Sequence, residues 1–373
     1  MLKYFLSNLK IKAVLLITLL LMTSACSRGN EVNLNTDVKT PEPSVTSESE
    51  EIMLPEDNIN SLAVAPQATV SPSNQNIQEE VFVFPKEGVR PFAVMIDNEG
   101  TRCLPQGGLN LAQVIYEVIA EGGVSRLMPV FWDREPELVG PVRSSRHYFL
   151  DYAMEHDAIY VHFGWSPMAI TDISKFKINN INGVANGGEI FWDLTNDRKN
   201  WQDSYTSTSK IKGYVQKAKY RTTTEKELVF KYNGMDMDLQ GENKTEKINI
   251  MYSTGYSCGY IYDHDSKIYL RLRKNEPQIE RVTQKQLTAK NIIIQRVKNY
   301  TIKGDQYGRQ EVNTVGNGEG YYITNGKYIA IKWSKASRTE KTKYTDADGN
   351  EISLNPGQTW VQIVPKESKI DLK

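Results

Sequence analysis

Cysteine is scarce in this chain of 373 residues, which contains three. Cys103 and Cys258 are the only two beyond residue 26, and they lie far apart, so the chain lacks the dense cysteine spacing of a disulfide framework. There is also no CxxC pair and no Cys/His ligand spacing, which excludes a structural zinc site of the usual kind. We therefore expect two free or buried thiols and no metal.

An excess of charge of one sign is also missing, because 45 Lys and Arg balance 45 Asp and Glu. The balance is uneven along the chain: residues 27–80 hold two basic and ten acidic residues, whereas residues 81–373 hold 40 basic and 35 acidic residues. A surplus this small is too weak for nucleic-acid binding but is compatible with anionic wall polymers or lipid headgroups. No nucleic-acid partner and no cofactor are expected.

Long hydrophobic runs are limited to Ala13–Met22, which follows three lysines and precedes the small residues of Thr23–Cys26. The run is too short for a stable membrane span and is typical of a secretory signal with a lipobox-like end. The pattern predicts that residues 1–25 are removed and that Cys26 is lipidated, which would anchor the protein at the extracytoplasmic face of the cell membrane. An uncleaved anchor is the alternative.

Residues 26–80 are rich in Ser, Thr, Pro, Asn and Glu and lack apolar periodicity. Such a composition cannot bury enough apolar surface to offset the entropy of ordering the chain. We predict a disordered, acidic tether.

A regular alternation of elements is predicted after residue 80. Apolar residues at helical spacing in Leu111–Ile119, stopped by Gly122-Gly123, predict a helix, and the run Leu127–Trp132 predicts a strand. A second helix over Ser144–Glu155 and a strand over Ala158–Phe163 follow. This order predicts a layered α/β or α+β domain over residues 81–225.

The predicted secondary structure changes near residue 225. Short β-rich runs follow, separated by turn signals such as Asn317-Gly318, Asn325-Gly326 and Asp348-Gly349, which suit type I′ hairpins. Residues 226–373 are therefore predicted to form an all-β domain, a sandwich or a partly open barrel.

Five separated motifs resemble the YerB-like family of bacterial lipoproteins. They are RPFAVMIDN (Arg90–Asn98), YEVIAEGG (Tyr116–Gly123), GPVRSSR (Gly140–Arg146), DAIYVHFGWSP (Asp157–Pro167) and NPGQTWVQIVP (Asn355–Pro365). The resemblance covers nearly everything after Phe82. It implies an exported lipoprotein with two domains of unknown function, and it implies no particular chemistry.

Polar residues follow three predicted strands: Asp97-Asn98, Asp133 and His162. Ligands of open α/β sheets gather at the carboxyl ends of strands, so these side chains are candidates for one crevice or even a metal site. Ordinary capping of strand ends is the alternative. The spacing of His147 and His156 does not place both rings on one helical turn, and we interpret the three histidines as exposed polar residues.

Glu117 and Glu121 fall on the polar side of the first predicted helix and are candidates for a paired acid and base, as in glycoside hydrolysis. A solvated helix face, or pairing with Arg126, is the structural alternative. Ser166 followed by Pro167 lacks the closing glycine of a G-x-S-x-G turn and is better explained as a helix N-cap.

The motif Gly140–Arg146 is the main predicted ligand site. Arg143 and Arg146 near a helix start oppose the helix dipole unless something negative is present, and Ser144 and Ser145 add hydroxyl groups. The negative partner is either an anionic ligand, with Arg126, Asp97, Asn98 and His162 nearby, or an internal carboxylate, for which Glu117, Glu121 and Asp133 are the candidates.

These observations predict a lipid-anchored protein that binds an anionic or sugar-containing cell-envelope ligand or an envelope protein partner. Aromatic residues in a polar loop, Phe191, Trp192, Trp201 and Tyr205, are able to stack on sugar rings or to pin the loop. One alternative is an enzyme that acts on a wall polymer or its phosphate linkage. The other is a structural adaptor for membrane protein complexes.

Overall fold

A mixed ten-stranded sheet forms the centre of the structure, a computed structural model that describes residues 82–197, 200, 202–241 and 243–373. These residues fall in one compact unit, Asn76–Lys373. The predicted signal peptide and the whole predicted tether, including Cys26, lie outside the described residues. Among the described residues, no helix is both long and apolar enough to cross a membrane.

The first half of the described chain contains four helices and eight short strands. The helices are α1 His147–Glu155, α2 Pro167–Lys175, α3 Gly183–Asn186 and α4 Thr208–Lys217, with 3-10 turns at Leu109–Leu111 and Glu121–Gly123. The strands are β1 Phe92–Val94, β2 Val114–Ile119, β3 Ser125–Phe131, β4 Ile159–His162, β5 Asn180–Asn182, β6 Trp192–Asp193, β7 Ser204–Tyr205 and β8 Lys231–Tyr232.

The second half is built from strands. They are β9 Lys247–Met251, β10 Ser257–Asp263, β11 Ile268–Arg273, β12 Glu276–Pro277, β13 Thr288–Ala289, β14 Asn291–Val297, β15 Asn299–Thr301, β16 Gln310–Val312, β17 Gly316–Thr324, β18 Lys327–Lys335, β19 Lys343–Thr345, β20 Ser353–Leu354, β21 Thr359–Pro365 and β22 Ile370–Leu372.

The strand order of the main sheet is β19-β18-β17-β14-β21-β2-β3-β1-β4-β5. Strands β14, β21 and β2 are parallel neighbours, as are β1, β4 and β5, and the antiparallel β3 separates the two groups. All six parallel strands therefore point the same way, and their carboxyl ends meet at one edge of the sheet. We call this edge the carboxyl edge.

A second sheet has the order β12-β11-β10-β9-β22, with β13 also paired to β11. Its strands and those of the main sheet contribute to one continuous hydrophobic core, which includes Ile115, Val161, Ile250 and Ile293. The mixed α/β character of the first half and the antiparallel, strand-rich character of the second half agree with the predicted fold class. The predicted boundary between residues 225 and 226 stays a prediction.

The predicted helix over Leu111–Ile119 is wrong, because most of this segment is strand β2. All six residues of β2 are buried, since the strand lies inside the sheet between β21 and β3. A strand covered on both faces is apolar almost throughout, and its run of apolar residues also satisfies helical spacing. The polar stripe expected on this helix therefore does not exist.

The other predicted elements of this region are confirmed with shifted ends. The predicted strands correspond to β3 and β4, and the second predicted helix begins later, at His147. Ser166 caps α2 as predicted: its side chain accepts a hydrogen bond from the Ala169 backbone, and Pro167 takes the first helical position.

Two of the turn predictions have opposite outcomes. Asn325 and Gly326 connect β17 to β18, and both have positive φ angles, 50° and 71°, as a type I′ turn requires. The turn predicted at Asn317-Gly318 is wrong, because both residues lie inside β17. Glycine is needed at residue 318 for a different reason: a Cβ atom there would lie 2.6 Å from Nε1 of Trp333 on β18.

Candidate functional site

The motif Gly140–Arg146 crosses the carboxyl edge in an extended conformation. The Arg143 backbone N–H donates to the carbonyl of Met95 at 2.8 Å, and its carbonyl accepts from Phe163 at 3.0 Å. The Ser145 N–H donates to the carbonyl of Gly164 at 3.0 Å. The segment therefore lies between the ends of β1 and β4, and Arg146 is the N-cap residue of α1.

Arg126 and Arg146 share one carboxylate at this edge. Arg126 donates from Nη2 to Oε2 of Glu121 at 3.0 Å, and Arg146 donates from Nε to the other oxygen. Burial and the neighbouring Arg146 lower the pKa of Arg126 to about 10. Burial acts to raise the pKa of Glu121, but the two guanidinium groups hold it below its ordinary value. Of the three carboxylates that the sequence offered as internal partners, Glu121 is therefore the one that contacts Arg146.

Arg143 meets a different pair of carboxylates. Its Nε lies 3.3 Å from Oδ2 of Asp97, and its Nη2 lies 3.8 Å from Oε2 of Glu99. The same Asp97 oxygen also accepts from Nε2 of Gln202 at 2.8 Å. Binding of an external anion at this motif stays a prediction, and any such ligand would compete with these internal carboxylates.

The hydroxyl groups of the motif differ in availability. Ser145 is buried, and its Oγ accepts a hydrogen bond from the Tyr160 hydroxyl at 3.0 Å. Ser144 is partly exposed, and its carbonyl accepts from Nη1 of Arg126 at 2.7 Å. The motif is thus tied to the sheet by side chains as well as by backbone.

Three of the predicted strand-end residues do lie at the carboxyl edge, but Asp133 does not. Strand β3 runs antiparallel to β1, with Phe131 opposite Phe92, so Asp133 lies at the other edge of the sheet. The crevice predicted for Asp97, Asp133 and His162 is therefore wrong. No group of three or more His, Cys, Asp or Glu residues placed to hold a metal ion occurs among the described residues.

Asn98 and His162 are buried, and both form hydrogen bonds with other residues of the protein. Asn98 donates to the hydroxyl groups of Ser125 and Tyr256, and its Oδ1 accepts from Nε of Arg273 at 2.9 Å. His162 contacts the Gly164 carbonyl at 2.7 Å and Oδ1 of Asn180 at 3.1 Å. Both side chains hold the carboxyl edge together, and their direct role in ligand binding stays a prediction.

The interpretation of the histidines as exposed residues is wrong. His147, His156 and His162 are all buried, because the helix and strand that carry them are packed inside the core. Of the predicted stacking residues, Phe191 and Tyr205 are buried and Trp201 lies outside the described residues. Phe191 packs against Phe163 with ring centroids 5.5 Å apart, which pins the loop.

Glu117 is not on a solvated face. It is fully buried on β2 and accepts from Nη2 of Arg271 at 2.6 Å, while its other oxygen accepts from the hydroxyls of Ser125 and Tyr256. With both oxygens engaged inside the protein, Glu117 serves as a structural carboxylate that joins the two sheets.

The two buried cysteines carry free thiols, as expected. Burial is the main cause that raises the pKa of Cys103 to about 12. The loop Asp346–Asn350 is a turn closed by the Asp346 side chain, whose Oδ1 accepts from the N–H groups of Asp348 and Asn350.

Sequence reasoning missed a basic groove of about 810 Å³ at the other end of the carboxyl edge. We call it the basic groove. Its lining comes from five separate segments of the chain: Arg296, Val297, Lys298, Asn313, Val315, Gly316, Asn317, Gly318, Glu319, Lys332, Trp333, Ser334, Thr345 and Lys366.

The parallel pairing of β14 and β21 places two of the cations together. Val297 lies opposite Pro365 at the ends of these strands, so Lys298 and Lys366 both follow at the carboxyl edge. The Lys366 N–H donates to the Val297 carbonyl at 2.7 Å. Arg296 donates from Nη1 to the Lys366 carbonyl at 2.6 Å, which holds its guanidinium beside this pair.

Strands β17 and β18 supply the other wall. Lys332 lies directly opposite Glu319, and buried Trp333 donates from Nε1 to the Arg296 carbonyl at 3.0 Å. Glycine at residue 318 lets the Trp333 ring lie across the strand. The spacing of glycines at residues 316, 318 and 320 was the available sequence signal, but it does not reveal which cations gather beside it.

The charges of the groove are largely uncompensated. Lys298, Lys332 and Lys366 are exposed, and in the described part of the chain none of them forms an ion pair. Glu319 is the single acidic residue in the lining, against four basic ones. A concave surface with a net positive charge attracts anions and raises their local concentration. The arginines of the Gly140–Arg146 motif, in contrast, already contact carboxylates.

Comparison with known proteins gives two family matches. "Protein of unknown function (DUF3048) N-terminal domain" matches residues 83–221, and "Protein of unknown function (DUF3048) C-terminal domain" matches residues 248–361. The chain is 31% identical over 281 residues to "Putative lipoprotein YerB" of Bacillus subtilis (strain 168), covering 74% of this chain and 81% of that protein. The crystal structure of the YerB protein from Bacillus subtilis is similar with a TM-score of 0.67 and 28% identity, covering 76% of this chain and 94% of that one.

Proposed function

This chain belongs to the DUF3048 family, and we propose that it is a lipid-anchored extracytoplasmic protein that binds an anionic cell-envelope ligand in the basic groove. The anchor would be a lipid on Cys26. The observation that carries the proposal is the set of exposed cations Lys298, Lys332 and Lys366, which have no ion-pair partner among the described residues.

Charge and shape support an anion as the ligand. Four basic side chains face one carboxylate across a groove that is open to solvent. Lysine is a point charge with three donors, which suits phosphate or carboxylate groups spaced along a flexible polymer. A ligand with repeated negative charges would contact several of these side chains at once.

Binding is better supported than hydrolysis by paired carboxylates. That chemistry needs two carboxyl groups flanking the scissile bond. The basic groove offers only Glu319, and the earlier candidate Glu117 is enclosed by Arg271, Ser125 and Tyr256.

The test is binding of a poly(glycerol phosphate) probe to the full chain purified in detergent. We expect the double variant Lys332→Gln/Lys366→Gln to weaken binding about tenfold, since each exposed charge contributes roughly 0.2–1 kcal/mol. The matched control is Lys217→Gln on α4, an exposed lysine paired with Glu189. Equal losses in the control and the double variant, or no loss in either, would contradict the proposal.

The anchor has its own test. Cys26→Ala should move the protein from the membrane fraction to the soluble fraction, because no lipid can then be attached. A variant that remains in the membrane fraction with an uncleaved leader would show that the hydrophobic segment itself is the anchor.

A further inference from the structure

A second, smaller cavity adjoins the basic groove. Its volume is about 220 Å³, and it shares Asn313 and Val315 with the groove. Pockets for drug-sized ligands start at roughly 300 Å³, so this cavity has room for a single ring-sized group. Its polar lining includes His147, Asp151, Glu311 and Arg338. We call it the His147 pocket.

His147 is buried at the start of α1 and is only half satisfied. Its Nε2 lies 3.0 Å from Oε2 of Glu311, whereas its Nδ1 has no hydrogen-bond partner among the described residues. A carboxylate only accepts, so Nε2 carries the hydrogen, and in the neutral ring Nδ1 is an acceptor that lacks a donor. Buried polar atoms without a partner are rare and require an explanation, such as a ligand.

The two carboxylates of the pocket are also acceptors. Asp151 accepts from Nε of Arg338 at 2.7 Å and from the Thr314 hydroxyl. The Glu311 side chain is 34% exposed and keeps acceptor capacity beyond its contact with His147. Arg338 is held between Asp151 and Asp172, at 2.7 and 2.8 Å. His147 Nδ1 and Glu311 therefore present acceptors to the pocket, and a ligand with hydrogen-bond donors complements them.

The basic groove makes the opposite demand, because it presents cations to a negatively charged group. One ligand satisfies both if it carries an anionic group next to a hydroxylated ring. We infer that the His147 pocket binds a sugar unit attached to the same phosphate-containing polymer whose charges occupy the basic groove. This inference rests on the proposed function and narrows its ligand to a glycosylated poly(phosphodiester).

The experiment compares two probes that differ only in the sugar: poly(glycerol phosphate) without substituents and the same polymer with hexosyl substituents. The full chain in detergent should bind the hexosylated probe about fivefold more tightly, equivalent to one or two added hydrogen bonds. Glu311→Gln, on a partly exposed side chain, should remove most of this preference; because it also removes a negative charge near the basic groove, the measured quantity is the ratio of the two affinities.

Two substitutions of His147 distinguish the roles of its two ring nitrogen atoms. Asn at this position places an amide near the site of Nδ1, and Gln places one near the site of Nε2. His147→Asn should keep part of the preference for the hexosylated probe, whereas His147→Gln should keep the contact to Glu311 and lose the preference. A variant that merely unfolds is recognised by loss of binding to both probes and by its melting temperature.

The outcomes distinguish the two proposals. Lys332→Gln should weaken both probes by the same factor and preserve their ratio. If groove variants weaken binding but the wild-type protein binds both probes equally, the sugar inference fails and the proposed function stands. If the wild-type protein binds neither probe, the proposed function fails. A probe with aminoacyl substituents that binds more tightly than the hexosylated one would assign the pocket to an amine and overturn the sugar.

Discussion

Arg271 donates a hydrogen bond from Nη2 to Oε2 of Glu117 over 2.6 Å, and both side chains are completely buried. The two residues are 154 positions apart, on β11 of the second sheet and β2 of the main sheet. The guanidinium also lies over the rings of Tyr260 and Trp360, at 4.9 and 4.5 Å from their centroids. This ion pair therefore joins the two halves of the chain.

Neutralising Glu117 should be strongly destabilising. Glu117→Gln leaves the buried charge of Arg271 without its counter-ion, and breaking one half of a buried pair typically costs about 3–5 kcal/mol. Urea denaturation measures the change in the free energy of unfolding. The exposed pair Lys217–Glu189 is the control, and Glu189→Gln should cost less than about 1 kcal/mol.

The double variant Glu117→Leu/Arg271→Met tests the same explanation. It removes both charges, so it should be less destabilised than Glu117→Gln. If the double variant is instead more destabilised than Glu117→Gln, packing rather than charge explains the loss of stability.

The shared carboxylate of Arg126 and Arg146 predicts an asymmetry. Glu121→Gln leaves two neighbouring, mostly buried guanidinium groups without their negative partner and should lower the free energy of unfolding by about 3 kcal/mol. Arg146→Ala leaves the Arg126–Glu121 pair intact and should cost about 1 kcal/mol. Thermal or urea unfolding without any ligand measures both. Equal costs would contradict the geometry, and no cost in either variant would favour a ligand as the missing partner.

His156 predicts a loss of stability on acidification. Burial lowers its pKa from 6.5 to about 4. Its Nε2 lies 2.8 Å from the Tyr116 hydroxyl oxygen, within hydrogen-bond distance. A group with a depressed pKa contributes stability above its unfolded pKa and loses it as pH falls through the folded value. We expect the wild-type protein to lose about 3 kcal/mol relative to His156→Gln between pH 6.5 and 4.

Asp151 acts in the opposite direction over the same range. Burial raises its pKa to about 6, so its contribution to stability is fully present below pH 3.8 and is lost as pH rises through 6. The His156 experiment is therefore the difference between wild-type and variant unfolding curves at each pH, in which the Asp151 contribution cancels. A difference independent of pH would mean that His156 titrates normally.

Binding in the basic groove should depend strongly on salt. A polyanion that contacts lysines releases its counter-ions, so the logarithm of the binding constant falls linearly with the logarithm of the salt concentration. Lys366→Gln should reduce the magnitude of this slope by about one. This slope is measured by titrating the protein with poly(glycerol phosphate) at several salt concentrations between about 50 and 200 mM. Lys217→Gln should leave the slope unchanged, and a similar reduction there would indicate non-specific attraction.

Residues 82–225 should not fold by themselves. Strand β2 has β21, Thr359–Pro365, as its parallel neighbour, and β21 in turn pairs with β14. Without the second half, the backbone of β2 loses its pairing with β21, and buried Glu117 on β2 loses its ion pair with Arg271. We expect the isolated segment to lack a cooperative unfolding transition in circular dichroism, and the full chain to unfold in one transition. A cooperative transition in residues 82–225 would show that the first half has its own sufficient core.

The sequence by itself determined the features that depend on local patterns. It predicted the strand β4, the second helix with its start three residues early at Ser144, the cap at Ser166 and the hairpin turn at Asn325-Gly326, because capping and turn chemistry act over a few residues. It also predicted the change to antiparallel strands in the second half and the family, whose motifs are long and specific.

Only the tertiary structure decided the features that depend on which strands become neighbours. Helical spacing in Val114–Ile119 was indistinguishable from a buried strand until β21 and β3 covered it, and with it Glu117 moved from a solvated face into the core. The antiparallel direction of β3 separated Asp133 from Asp97. The basic groove exists because β14 and β21 run parallel and bring Lys298 beside Lys366, a proximity that no local pattern encodes.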